Sequence, residues 1–242
     1  MQYPPAALII PALNEEASVG RVISSVPRDL IRWILVVDNG SSDHTAEVAK
    51  SAGATVISEP KRGYGNACLA GLSNLPEEAE AVVFMDADFS DYPEEMRSIL
   101  SALYAENADL VIGSRVLGQR EAGSLTPQQR IGNWIATLLV QTLYGFRYTD
   151  LGPFRAIRVN ALKHLKMQDR NYGWTVEMQV KAVQQSFKIV EVPVSYRRRI
   201  GYSKVSGTVS GSLKAGIKIL WTIAKLAWRN QTEQSCAVRK IV

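Results

Sequence analysis

Through its first half this chain repeats one pattern: a short run of β-branched and aliphatic residues, then a longer stretch with helical spacing. The apolar runs fall at residues 7–10, 34–37, 55–58, 81–85 and 109–113, and the helical patterns at about 17–26, 45–51, 66–75 and 94–106. Strands that alternate with helices in this way build a parallel sheet, because parallel neighbours need a crossover between them. The pattern predicts a mainly parallel, Rossmann-like α/β sheet flanked by helices. Such sheets bind ligands at the C-terminal ends of their strands.

At one of those ends sits Val82-Val83-Phe84-Met85-Asp86-Ala87-Asp88, a buried-strand sequence that delivers two carboxylates one residue apart. Carboxylates at i and i+2 of an extended chain point the same way, so a turn there can aim both at a hard cation that neutralises a diphosphate. The alternative is a solvated turn whose aspartates cap the helix beginning near Pro93. Other polar groups end the other strands: Pro11 to Glu16 after the first, Asp38 at the second, Gly113-Ser114-Arg115 at the fifth. The segment 118–129 has the Gly, Ser, Thr and Pro content of a loop.

The second half reads differently. Residues 131–146 and 209–228 form amphipathic helical patterns, the latter with Trp221 and Trp228 beside Lys214, Lys218 and Lys225. Apolar helices flanked by cations suit an anionic membrane surface as well as they suit a core. A helix at 176–186 and a strand at 189–194 lie between them. No linker or repeat divides the chain, so residues 1–207 are expected to form one domain, 208–229 a helical extension of it, and 230–242 a flexible tail.

A net charge of +5 favours an anionic partner. Nucleic acid is disfavoured, since no recognition helix, zinc spacing or aromatic RNA-binding signature is present. No stretch reaches the roughly 18 to 20 apolar residues that span a bilayer, and Cys68 and Cys236 have no metal-ligand spacing. A cytoplasmic protein acting at the inner face of the membrane is the expectation.

Taken in order, the stretches PALNEE, VVDNGSSDHT, MDAD, GSR, DLGPFRAI and EVPVSYRRRIGYSK resemble the family two glycosyltransferases, and within them the polyprenyl-phosphate sugar transferases typified by dolichol-phosphate mannose synthase. The resemblance runs from about residue 7 to residue 204. It implies a GT-A fold, a nucleotide-diphosphate sugar donor such as UDP-glucose or GDP-mannose, a polyprenyl-phosphate acceptor, an inverting reaction, and Mg²⁺ or Mn²⁺. It assigns Pro11, Asn14, Glu15 and Asp38 to the nucleoside pocket. Asp86, Ala87 and Asp88 go to the metal and nucleotide, with Asp88 most directly on the cation. The family often has a glutamine where this chain has Ser90, which leaves neighbouring Asp91 as the candidate third metal ligand.

Arg115, Arg130, Arg155, Lys204 and one of Arg197-Arg198-Arg199 are the candidate phosphate clamps, because guanidinium groups pair with phosphate oxygens in bidentate fashion. Alternate residues of an extended chain face opposite ways, so the triplet leaves open which arginine faces the diphosphate; Arg198 stands for it. Asp150 and Glu177 are the candidate bases should the acceptor be a hydroxyl, whereas an ionised lipid phosphate needs none. Three rival readings remain: a soluble glycosyltransferase with a small-molecule acceptor, a noncatalytic nucleotide-sugar binder, and a nucleotidyltransferase. The last is disfavoured because residues 11–16 contain no glycine-rich phosphate loop. A homo-oligomer is compatible with all of them.

Overall fold

The computed structural model describes residues 3–201 and 209–239. Seven strands form one sheet: β1 (Ala6–Ala12), β2 (Ile31–Asp38), β3 (Thr55–Ser58), β4 (Ala81–Phe84), β5 (Leu110–Ser114), β6 (Arg155–Arg158) and β7 (Ile189–Pro193). Their order is β3-β2-β1-β4-β6-β5-β7. All neighbours run parallel except at β6, which is antiparallel to both β4 and β5.

Strand alternation splits the core into two layers. Leu8, Ile10, Val36 and Val83 face one side, where they meet α1 (Val19–Ser24), α2 (Thr45–Ser51) and α4 (Met96–Ala105), the last preceded by a 3-10 turn at Pro93–Glu95. Ile9, Val37, Val82 and Phe84 face the other, against α3 (Tyr64–Ser73), α5 (Pro127–Tyr144), α6 (Val159–Leu165), α7 (Trp174–Gln184) and α8 (Val209–Arg239). Burial on both faces explains why the central strands read as unbroken apolar runs.

One strand has no counterpart in the sequence reading and two expectations change. The segment Arg155–Arg158 is a strand, and α6 follows it directly. Helix α5 begins at Pro127, not 131, because Thr126 and Gln129 form a reciprocal capping box: the Gln129 amide donates to Thr126 Oγ1 (3.2 Å) and the Thr126 amide to Gln129 Oε1 (2.8 Å). Gly145 ends it in the left-handed conformation, φ 75°. Finally, α8 continues to Arg239 where a tail was expected from 230; residues 230–239 contain neither Gly nor Pro to stop it. No helix of the described residues is long and apolar enough to cross a membrane.

Candidate active site

The ends of β1 and β2 are stitched together by polar groups that the two turns supply to each other. Asn14, in the left-handed region at φ 52°, donates its amide to Ser41 Oγ (2.9 Å) and accepts the Ser42 amide on Oδ1 (2.8 Å). The Glu15 amide donates to Thr45 Oγ1 (2.7 Å), and Asp38 Oδ1 accepts the Ser41 amide (3.2 Å). Pro11 lies beside Val37 in the β1–β2 register, so all four expected nucleoside residues meet at one edge. Sequence reasoning missed the residue that clasps this edge. Asn39 donates its amide to the Ala12 carbonyl (2.8 Å) and its side chain to the carbonyls of Glu59 and Lys61 (2.9 and 2.8 Å), while Oδ1 accepts the Gly63 amide (2.8 Å).

The acidic turn after β4 is held just as tightly. Ala87 is buried, and Asp88 Oδ1 accepts both the amide and the hydroxyl of Ser90 (2.9 and 2.5 Å). Phe89 sits at φ 60°, a conformation that costs a bulky residue about 1–2 kcal/mol. Arg197 secures it, its guanidinium 3.4 Å from the Phe89 ring centroid and 4.1 Å from that of Tyr92, with Nε donating to the Phe89 carbonyl (2.6 Å). The chain after β7 therefore runs along this turn; the amides of Arg197 and Ile200 donate to the carbonyls of Ser90 and Asp88 (2.9 and 3.0 Å).

That run sends the three arginines to different places. Arg199 bridges two strand ends, with Nη2 3.1 Å from Glu15 Oε1 and Nη1 3.2 Å from Asp88 Oδ2. Arg198 turns away, donating its amide to Glu121 (2.9 Å) and its Nε to the Ala122 carbonyl (2.8 Å). Arg199 therefore replaces Arg198 as the guanidinium at the site, and the period of two that puts Arg197 and Arg199 on one side was its only signal in the sequence.

Asp86, two residues past the end of β4, is half-buried. Burial, and then the neighbouring Asp88 charge, push its carboxyl up to about 7, against the lowering pull of Arg199, Arg115 and the Tyr64 hydroxyl. Burial also raises Asp91 well above the ordinary carboxylate range, with the Asp86 charge adding to it. Both Asp91 oxygens are buried without a hydrogen-bond partner. Among the described residues no group of three or more His, Cys, Asp or Glu side chains is arranged to hold a metal. The three-ligand set Asp86, Asp88 and Asp91 is thus not a preassembled cage. A carboxylate pair beside an unsatisfied third carboxyl suits a hard cation that takes one or two protein oxygens and completes its shell on substrate phosphates.

The remaining candidates are committed elsewhere. Arg115 and Asp150 hold each other, Nε to Oδ2 at 2.7 Å and Nη2 to Oδ1 at 2.8 Å, and the Arg115 guanidinium lies 5.0 Å from the Tyr196 ring centroid. Burial would raise the Asp150 carboxyl, but the Arg115 charge and hydrogen bonds outweigh it and hold it below its ordinary value. A carboxylate so paired is a poor base. Glu191 braces the same turn, accepting the amides of Thr149 (2.9 Å) and Asp150 (3.2 Å).

Arg155 is 1% exposed and is no diphosphate clamp. Its guanidinium donates to the carbonyls of Thr175 (2.9 Å) and Gly152 and to Gln179 Oε1 (3.3 Å), which ties β6 to α7. Arg130 is exposed in the first turn of α5, and Lys204 lies outside the described residues.

Glu177, expected as a base, organises the loop before α7. It accepts the amides of Gln168 (3.1 Å) and Asp169 (2.7 Å) and pairs with Lys181 Nζ (2.7 Å). Asp169 accepts the amides of Asn171 and Gly173 (2.8 and 3.1 Å) and pairs with Lys218 Nζ of α8 (2.8 Å). Carbonyls of this loop press on the start of α3. A Cβ on Gly63 or Gly65 would stand 2.2 Å from the Arg170 oxygen or 2.0 Å from the Asp169 oxygen, so only glycine fits there.

A mostly parallel sheet interrupted by one antiparallel strand, with acidic turns along its ligand edge, defines a GT-A glycosyltransferase. A crystal structure of glucosyl-3-phosphoglycerate synthase from Mycobacterium tuberculosis, in complex with Mn²⁺, UDP-glucose and phosphoglyceric acid, superposes with a TM-score of 0.74 at 20% identity, covering 93% of this chain and 80% of that one. The model of glycosyl transferase family 2 matches residues 7–166, and the chain belongs to that family. It is 37% identical over 210 residues to an uncharacterised glycosyltransferase of Mycobacterium tuberculosis, covering 86% of this chain and 93% of that protein. It is also 32% identical over 219 residues to an undecaprenyl-phosphate mannosyltransferase of Micrococcus luteus, covering 84% of this chain and 88% of that protein.

Proposed function

We propose that this glycosyltransferase moves a hexose from a nucleotide-diphosphate sugar, UDP-glucose or GDP-mannose, to a polyprenyl phosphate at the cytosolic face of a membrane, with inversion at the anomeric carbon. The observation that carries this reading is Arg199 bridging Glu15 of the nucleoside edge to Asp88 of the acidic turn. One guanidinium, of a kind that matches phosphate oxygens, thus touches a carboxylate from each of the two turns assigned to the nucleoside and the cation, which supports reading them as one site.

Glu15 and Asp38 accept hydrogen bonds from ribose hydroxyls or a base N–H. Asp86 and Asp88 are the residues that would hold Mg²⁺ or Mn²⁺, which when bound would supply stabilisation of the charge developing on the departing nucleoside diphosphate. An acceptor oxygen attacks the anomeric carbon, its bond to the diphosphate oxygen breaks, and the nucleoside diphosphate leaves with the electron pair. Asp150 and Glu177, the two expected bases, are both engaged in ion pairs. That favours an acceptor already ionised, as a lipid phosphate is. The undecaprenyl-phosphate acceptor in the name of the Micrococcus luteus relative and the Mn²⁺ and UDP-glucose of the structural neighbour support the same assignment.

The test is a thermal-shift panel of nucleotide sugars with and without Mn²⁺ or Mg²⁺, since a ligand that binds the folded state raises Tm. It is followed by assay of diphosphate release with a polyprenyl phosphate and with sugar or small-molecule acceptors. Metal-dependent stabilisation by one donor, and release that requires the lipid phosphate, are expected. Release with a hydroxyl acceptor alone, or donor binding without any release, would replace this reading with a soluble transferase or a noncatalytic binder.

A further inference from the structure

Helices α5 and α8 pack against each other, the Tyr144 hydroxyl donating to the Ile223 carbonyl at 2.7 Å. Each buries one narrow stripe: Ala136, Thr137 and Val140 on α5, and Ala215, Thr222, Ile223 and Leu226 on α8. Their outward faces are not the polar faces that water-facing helices normally show. On α5, Ile131, Trp134, Ile135 and Leu138 follow the spacing i, i+3, i+4, i+7 and are 58%, 63%, 40% and 45% exposed. On α8, Ile217 and Trp221 are 59% and 62% exposed, in line with exposed Lys214 and Lys225 at i−3 and i+4.

Charge identifies what this face would meet. Neither residues 122–149 nor residues 209–232 include an Asp or Glu, whereas Arg130, Arg147, Lys214 and Lys225 are all exposed. A second copy of the chain would bring the same cations against one another across a twofold interface. Apolar side chains edged by cations instead match a bilayer surface, where tryptophan rings sit at headgroup depth and each nearby cation gains from anionic lipid.

We infer that α5 and α8 together form a docking face for an anionic lipid bilayer, with Trp134 and Trp221 inserted at the headgroup level and Lys214 and Lys225 on the lipid phosphates. This deepens the lipid-acceptor reading and gives that acceptor a surface from which to enter, but the docking itself is measured without turnover.

The full chain is floated with vesicles of phosphatidylcholine alone and of phosphatidylcholine with phosphatidylglycerol. Binding to the anionic vesicles, weakened by added salt, is expected. The double variant Trp134→Ala/Trp221→Ala should partition roughly tenfold more weakly or worse. Lys214→Glu/Lys225→Glu, which alters only exposed side chains, gives a second reading should the tryptophan variant unfold by circular dichroism. Wild-type protein that stays with the unbound fraction, or variants that float like wild type, overturn the inference. So does a dimer in light scattering that the tryptophan variant breaks while no form binds vesicles. Transfer to a short-chain, water-soluble polyprenyl phosphate should survive in both variants, so loss of docking is separable from failure of the acceptor assignment.

Discussion

The two sides of the cleft hold their charges in opposite ways. On the nucleoside side the acids are gathered by backbone amides, hydroxyls and one arginine, and that arginine side chain, Arg199, keeps 29% of its surface open. On the far side, Arg115 pairs bidentately with Asp150, Glu177 pairs with Lys181, and Arg155 is spent on carbonyls; their side chains are almost closed off. The difference separates groups that a ligand can recruit from groups whose partners are already part of the fold. A buried charge that has its partner is costly to disturb and gains nothing from substrate, whereas an accessible guanidinium between two carboxylates can exchange one oxygen partner for another.

Substitutions on each side should reveal the contrast. Asp88→Asn, on the open side, should lower kcat/KM by about a thousandfold while the melting temperature stays close to wild type, as expected for loss of a group that stabilises leaving charge; an undiminished rate in donor turnover would remove the acidic turn from the chemistry. Arg199→Ala should cost about a hundredfold, against less than about twofold for Arg198→Ala, whose side chain faces the Ala122 carbonyl. Equal losses in that pair of assays would undo the assignment of Arg199 to the cleft.

On the closed side the effect moves to stability. Asp150→Asn leaves Arg115 buried without its partner and should cost about 3 kcal/mol in urea unfolding. Because the folded carboxyl is held below its ordinary value, its contribution is complete above the unfolded value of about 3.9 and lost as the pH falls towards the folded one. The gap between wild type and Asp150→Asn should therefore narrow below about pH 4, and a gap that widens there would contradict the pairing. A modest effect is expected at Lys218, which touches the loop before α7 through Asp169 and, by way of that loop, Gly63 and Gly65. Lys218→Met should raise donor KM by about threefold with kcat retained, and Lys218→Arg should restore it; a change in kcat alone would show that α8 does not support the donor pocket.

How far these roles could be read beforehand depended on how local each signal was. The strands β1, β2, β4 and β5 announced themselves through apolar runs that burial requires, edge strand β3 only through its β-branched residues, and Asp86 and Asp88 stood at the end of one. Asn14, Glu15 and Asp38 fell at the ends of two such strands for the same reason. Strand β6 was not visible: four residues, Arg-Ala-Ile-Arg, with a fully buried arginine at one end, carry neither a period of two nor an apolar run. For Arg155 the residue type was informative and the partner was not, since a guanidinium binds a carbonyl oxygen as readily as a phosphate. Asp150 was seen as an acid after a turn, yet its pairing with Arg115 spans 35 residues. Asn39 looked like one more turn former, and the four contacts that make it a clasp come from two separate segments, the end of β1 and the loop 59–63. On α5 the balance of apolar and polar residues said amphipathic but not which stripe would be covered; only the packing of α8 decided that.

The place of β6 also sets the order in which the molecule can be assembled. As the polypeptide leaves the ribosome, β1, β2, β3 and β4 can pair at once, giving a four-strand fragment that already contains the turns of Glu15 and Asp38. Strand β5 follows, but among the described residues its hydrogen-bonded neighbours in the sheet are β6 and β7, so it must wait for about forty residues of nascent chain before it has a seat, while β4 keeps an unpaired rim that invites misassociation. Synthesis halted before residue 158 would leave a half-sheet with that rim exposed, a ready substrate for chaperones.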